Sequence, residues 1–245
     1  MAVPPFHWWR TVFFLIPAIA LYTIVLGTLS LLSVLVDRQG HLAHRCARAW
    51  AWLILKTTRV SVDVEGLDDL PRDQPYLFLA NHQSIYDIPV LFWHLPYQVR
   101  ILAKASLGKV PFLGWHLRRS GHVLVDRSNP GNSTMVQIKE LMRQKASILV
   151  FPEGTRSADG SVARFRGGIV MLAIEAGLPI VPVSVEGTRH VMLKGRLMTC
   201  PGHVRVRVLP PISTVAYEAR KARELAGVIE RQVRAGVEDL QVAST

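Results

Sequence analysis

The chain is poor in cysteine, in charge and above all in acid. Only Cys46 and Cys200 occur, far apart and in no paired motif, which argues against a disulfide framework and for a reducing compartment. Charged residues make up only 19% of the sequence against 49% hydrophobic, slightly greasy for a soluble protein. Acid is scarcer than base: 18 Asp and Glu face 29 Lys and Arg, a formal net charge of +11. Such an excess suits nucleic acid, an anionic bilayer surface or an anionic substrate. Zinc-finger spacing, an aromatic-lined nucleic-acid module and a basic low-complexity tail are all missing, so nucleic acid is not the expected partner. The nine histidines are dispersed, with no His-Glu-x-x-His and no paired Cys, so no metal centre is expected. His94, His116 and His122 are read as packing or surface residues. No internal repeat is present. The 245 residues suffice for one sizeable core and a small appendage.

What the chain does have is a long apolar run near its start. Residues 12–36 contain no charged side chain. As a helix rising about 1.5 Å per residue, that run is long enough to cross a hydrocarbon core about 30 Å thick. A cleaved signal peptide fits less well, because the apolar stretch is too long and Ser33-Val34-Leu35 makes a poor cleavage site. Pro17 either kinks the segment or marks its start. Arg10 precedes the run, and Arg38, Arg45, Arg48, Lys56 and Arg59 follow it. A spanning segment with that bias puts the main domain on the cytoplasmic side. Residues 42–58 mix Trp50, Trp52, Leu53 and Ile54 with cations, which suits a helix at the interface. A full crossing, a hairpin dipping into one leaflet and a buried soluble helix all remain open.

Beyond Val60 the pattern alternates between strand and helix. Strands are expected at 60–64, 76–80, 100–104, 122–125, 147–151, 180–185 and 204–209. Helices are expected from Asp87 toward Trp93, at 133–145, at 168–175 and from 214 to about 240, with a loop or short helix at 110–118. This alternation predicts an α/β fold, a mixed central sheet flanked by helices, behind an N-terminal membrane-associated helical segment. The expected division is 1–59 for the anchoring helices and 60–245 for the α/β catalytic domain.

Two short motifs carry the chemistry, each directly after a strand-like run. In Asn81-His82-Gln83-Ser84-Ile85-Tyr86-Asp87, His82 can hold a proton near neutral pH. Five residues apart on a regular helix, His82 and Asp87 would point apart, but across a strand-end loop they can meet. The carboxylate would then bind one ring nitrogen and present the other to a substrate hydroxyl. Ser84 lacks the Gly-x-Ser-x-Gly elbow and reads as a cap or turn partner. In Phe151-Pro152-Glu153-Gly154-Thr155-Arg156-Ser157, Gly154 permits a tight turn and close ligand approach. Thr155 and Arg156 then offer a hydroxyl and a guanidinium fork suited to phosphate. An ordinary turn with Glu153 paired to Arg156 is the alternative. Arg127 after the strand at 122–125 and Lys104 at the end of another are further strand-end cations, which together could ring one anionic group.

These residues resemble the glycerolipid acyltransferase family, and within it the 1-acyl-sn-glycerol-3-phosphate (lysophosphatidate) acyltransferases. His82 and Asp87 match its first motif, His and Asp separated by four residues. Lys104, Pro111-Phe112-Leu113-Gly114-Trp115 and Asp126-Arg127 match the second, residues 151–157 the third, and Ile180-Val181-Pro182-Val183-Ser184 the fourth. Gly154-Thr155 is more similar to the lysophosphatidate branch than to the glycerol-3-phosphate branch, which tends to have a second glycine. The resemblance implies that His82 deprotonates the sn-2 hydroxyl of lysophosphatidate while Asp87 holds its tautomer. The alkoxide then attacks the thioester of acyl-CoA or acyl carrier protein, giving phosphatidate for phospholipid synthesis. It assigns phosphate binding to Arg127 and Arg156 with help from Lys104, and Glu153 to holding a cation or backbone amide. The implied setting is the inner membrane with the catalytic domain facing the cytoplasm, against an anionic lipid surface, with no cofactor beyond the thioester. Another lyso-lipid acceptor, such as a lyso-ornithine lipid or lysophospholipid, and an inactive lipid-binding protein are the alternatives.

Overall fold

The computed structural model describes residues 5–33, 35–37, 39–125, 132–144 and 146–243, with the backbone alone for Lys104 and residues 132–135. Helix α1 (Phe6–Arg10), a π-helical stretch (Thr11–Leu15) and α2 (Ile16–Ser33) run on as one rod, Phe6–Ser33. Pro17 neither starts nor breaks it. The wider π turns just before Pro17 carry the chain past a residue that has no N–H to give. Helix α3 (His41–Thr58) then packs back along the rod. Polar bonds join the rod to the rest of the molecule along its length. Thr199 N–H donates to Thr11 Oγ1 (2.8 Å), Trp50 Nε1–H to Thr23 Oγ1 (3.0 Å), and Ser30 Oγ meets His116 Nδ1 (2.6 Å). Arg10 reaches the carbonyls of Thr57 and Thr58, both at 3.2 Å. The opposite face of the rod leaves Phe13, Phe14, Leu21, Val25, Leu29 and Leu32 exposed. A contiguous bare apolar face of that kind marks a surface made for lipid or a partner.

Seven strands form one sheet: β1 (Val60–Glu65), β2 (Leu77–Ala80), β3 (Val99–Lys104), β4 (Val123–Val125), β5 (Ser147–Val150), β6 (Ile180–Glu186) and β7 (Gly202–Val208). Their spatial order is β1-β7-β6-β2-β5-β3-β4. Strands β2 to β6 all run parallel, β7 is antiparallel to β6, and β1 runs with β7, so the sheet is mixed as expected. The remaining helices are α4 (Asp87–His94), α5 (Leu113–Arg119), α6 (Asn132–Arg143), α7 (Gly167–Ala176), α8 (Thr188–Val191) and α9 (Ala222–Val242).

The period of two along β2 sorts its side chains between two cores. Tyr76, Phe78 and Ala80 join Ile54, Val90 and Leu91 on the α3 and α4 side. Leu77 and Leu79 join Ile138, Val170 and Ile229 on the α6, α7 and α9 side. Covered on both faces, β2 and β5 carry unbroken apolar runs rather than an alternation with polar residues. The structure adds the short α8 and a 3-10 turn at Ala105–Lys109 to the expected elements, and it moves one of them. The last helix begins at Ala222, after a 3-10 turn at Ala219–Lys221, and not at residue 214. Ile212 instead pairs with Ile180 in an antiparallel bridge, Thr214 bonds the carbonyl of Leu178, and residues 214–217 close a turn through Tyr217 N–H on Thr214 C=O. Because β2, β3, β5 and β6 share one direction, the loops after them gather at one edge, where open parallel sheets bind their ligands.

Candidate active site

The loop after β2 is fastened before any chemistry is placed on it. Asn81 acts as an extra ladder rung: its Nδ2–H donates to Val185 C=O and its Oδ1 accepts Val185 N–H, both at 2.8 Å. His82 is then tied at both backbone groups to the loop after β5. Its N–H donates to Glu153 Oε1 (2.7 Å), and its carbonyl accepts Ser157 N–H (2.7 Å). Ser84 donates its hydroxyl to Met192 C=O (2.8 Å), a long-range tie rather than the helix cap or local turn expected of it.

The structure brings His82 and Asp87 together. Nδ1 of His82 lies 2.6 Å from Asp87 Oδ2, and the His82 ring stacks on Phe151 with centroids 4.1 Å apart. Asp87 is fully buried, whereas the His82 side chain is 16% exposed, so the ring alone of this pair meets the outside. The same Oδ2 accepts the N–H groups of Gln83 (2.8 Å) and Ser84 (2.9 Å). Three donors on one oxygen are what an ionised carboxylate requires to be buried. With Nδ1–H directed at Asp87, the lone pair of Nε2 is left for a substrate proton.

Glu153 pairs with neither Arg156 nor any other cation among the described residues. Its two oxygens take backbone amides, His82 N–H and Ala163 N–H (3.2 Å). Burial pushes its carboxyl up to about 7, against the downward pull of those amides. Gly154 has φ +76°, a backbone shape that favours glycine, and its turn lies against the Arg166 guanidinium. Lys194 Nζ clasps the same turn, donating to Arg156 C=O (2.7 Å) and Thr155 Oγ1 (3.2 Å). The half-buried Arg156 guanidinium has no carboxylate partner among the described residues. Lys104 closes β3, two strands from β2 with β5 between them, and its side chain lies outside the described residues. Arg127 also lies outside them.

An apolar cavity of about 210 Å³ is lined by, among others, Gly27, Trp50, Ile85, Phe92, Phe112 and His116. That is larger than the engineered cavity of about 150 Å³ that stays dry and takes up benzene. Ile85 sits in the loop between His82 and Asp87, so that loop contributes one wall of the cavity. The histidines at its lining are neutral. Burial, then the Arg100 charge, drives His116 down to about 4, and burial holds His122 well below its ordinary range. Among the described residues no cluster of three or more His, Cys, Asp or Glu is placed to hold a metal ion. Three contributors escape a reading of the motifs: Arg166, Lys194 and Thr188, whose hydroxyl donates to the free oxygen of Asp87.

An imidazole at a parallel sheet edge, bonded to a buried carboxylate and with a guanidinium on the neighbouring loop, can accept a proton from a hydroxyl and hold an anion. Comparison with known proteins gives the class: residues 61–186 match the Acyltransferase family model, and the chain belongs to that family. It is 35% identical over 210 residues to the 1-acyl-sn-glycerol-3-phosphate acyltransferase of Saccharomyces cerevisiae, covering 83% of this chain and 69% of the yeast protein. The Chlamydomonas reinhardtii protein of the same description is 36% identical over 157 residues, 61% of this chain and 47% of its own length. This chain spans about half the length of that protein and of the Brassica napus relative, of which it covers 50%. Among solved structures, the 1-acyl-sn-glycerophosphate acyltransferase PlsC of Thermotoga maritima superposes with a TM-score of 0.75 at 29% identity, covering 91% of this chain and 95% of that one.

Proposed function

We propose that this protein is a 1-acyl-sn-glycerol-3-phosphate O-acyltransferase that makes phosphatidate at a membrane surface. The observation that carries the reading is the His82–Asp87 pair, whose connecting loop sends Ile85 into an apolar cavity and whose backbone is bonded to the turn that carries Arg156. In the reaction, Nε2 of His82 takes the proton of the sn-2 hydroxyl. The oxygen bonds to the thioester carbonyl carbon of acyl-CoA or acyl carrier protein. As the carbon–sulfur bond breaks, the imidazolium returns its proton to the departing thiolate. Arg156 grips the acceptor phosphate as a two-pronged donor, with Arg127 and Lys104 as further cations. Thr155 lines the same turn. Glu153 keeps His82 in place through its amide. The cavity takes an acyl tail, each buried methylene contributing about 0.8 kcal/mol. The reaction draws on no cofactor beyond the thioester.

Residues 1–59 act as the anchor and 60–245 as the catalytic domain. Bonds tie the rod to the domain from Thr11 to Ser30, which supports a rod lying in one leaflet rather than crossing the bilayer alone. Its bare apolar face then meets lipid, and the net cationic charge faces anionic headgroups on the cytoplasmic side of the inner membrane. The test is to present purified protein in anionic vesicles with a panel of lyso-acceptors and both thioester donors, reading products by mass. Phosphatidate should dominate. His82→Ala should abolish turnover with folding intact, and Arg156→Ala should raise KM for the phosphorylated acceptor about tenfold or more. Near-normal rates in both variants, or transfer indifferent to the acceptor phosphate, would overturn the assignment.

A further inference from the structure

The catalytic pair has a third member that sits 101 residues further along the chain. Asp87 is fully buried, and its Oδ2 is committed to His82 Nδ1, Gln83 N–H and Ser84 N–H. Its other oxygen, Oδ1, has one donor among the described residues, the hydroxyl of Thr188. Thr188 is itself fully buried. It opens α8 directly after Gly187, whose φ is +92° and whose Cβ would lie 2.3 Å from the carbonyl oxygen of His203. Only glycine fits there, so the turn is fixed, and β6 alongside β2 sets Thr188 against the loop that carries His82.

We propose that Thr188 is a positioning residue for the acyl transfer, its hydroxyl locking the Asp87 carboxylate so that Oδ2 stays on His82 Nδ1. The inference rests on the acyltransferase reading. A carboxylate turns about its last side-chain bond with little resistance. Were Oδ1 left buried with no donor, rotation toward another donor would relieve it and pull Oδ2 from the imidazole. Thr188 touches neither substrate nor the reacting atoms. Its effect passes through Asp87 to the orientation and tautomer of His82.

The experiment compares Thr188→Val, which keeps the shape and loses the donor, with Thr188→Ser, which keeps the donor. Each is measured in vesicles for kcat and for KM of both substrates. In Thr188→Val, kcat should fall about tenfold or more with both KM values within about twofold, and Thr188→Ser should restore most of the rate. A second readout is independent of activity. The His82 Nδ1 proton, held in a 2.6 Å bond to a carboxylate, should give a low-field proton resonance that moves or vanishes in Thr188→Val and returns in Thr188→Ser. If Thr188→Val does not fold by circular dichroism, Thr188→Ala replaces it in the same comparison. An unchanged resonance together with an unchanged kcat overturns the proposal. So does a lowered melting temperature with unchanged kcat per folded molecule, which marks Thr188 as structural only. If the wild type transfers acyl groups to no lyso-acceptor, the functional reading fails, and the resonance alone still decides whether Thr188 fixes the pair.

Discussion

Replacing Glu153 with glutamine should change how stability depends on pH, by an amount the structure sets. The carboxyl is held up to about 7 by burial, against an ordinary value of 4.5. Between those values the folded chain keeps a proton that the unfolded chain has released. Its contribution is therefore full below about pH 4.5 and is lost as pH rises through 7. At about 1.4 kcal/mol per unit, the loss is about 3 kcal/mol. Glutamine is neutral at every pH and has no such dependence. Other buried groups run the opposite way: His116 is held neutral at about 4, so it destabilises the fold as pH drops below its ordinary 6.5. Those contributions are common to both proteins and cancel in the difference. Urea unfolding in detergent micelles, followed by tryptophan fluorescence from pH 4.5 to 8, should show Glu153→Gln gaining about 3 kcal/mol relative to wild type across that range. Parallel curves across the whole range would refute the idea that this buried carboxyl carries a displaced proton.

Asn81→Ala should cost on the order of 3 kcal/mol, because it strands both the N–H and the carbonyl of Val185 in a buried site; thermal unfolding reads the loss. Paired substitutions Val25→Asp and Leu29→Asp, on the exposed face of the rod, should release the protein from vesicles in a flotation assay, by about tenfold or more in partition, while leaving its circular dichroism unchanged. Continued flotation at the wild-type level would remove that face from the lipid-binding surface.

The sequence showed most clearly what is local. His82 and Asp87 lie five residues apart on one loop, and the turn at Gly154 carries its own signature, so both could be read without knowing the sheet. The strand positions followed from apolar runs, unbroken at β2 and β5 and alternating with polar residues at β1. Strand order did not, because no local pattern says that β6 lies beside β2 rather than beside β5. Thr188 was invisible for that reason: it reaches Asp87 only through that neighbour relation. Glu153 could be placed in the site but not given its partners, since side-chain spacing is silent about backbone amides. The final helix was read too early because residues 214–221 carry helix-compatible residues, whereas the pairing of Ile212 with Ile180 holds the preceding stretch extended.

Gly27 and Thr23 on the rod and Trp50 on α3 help wall the apolar cavity. Trimming the first 33 residues to obtain an easily handled soluble fragment would therefore cut away one side of the vessel that, on the proposed function, holds the fatty chain. The greasy lining would stand open to water, and the fragment would clump or lose its grip on substrate. Removing the apolar rod and dismantling the cavity are the same operation.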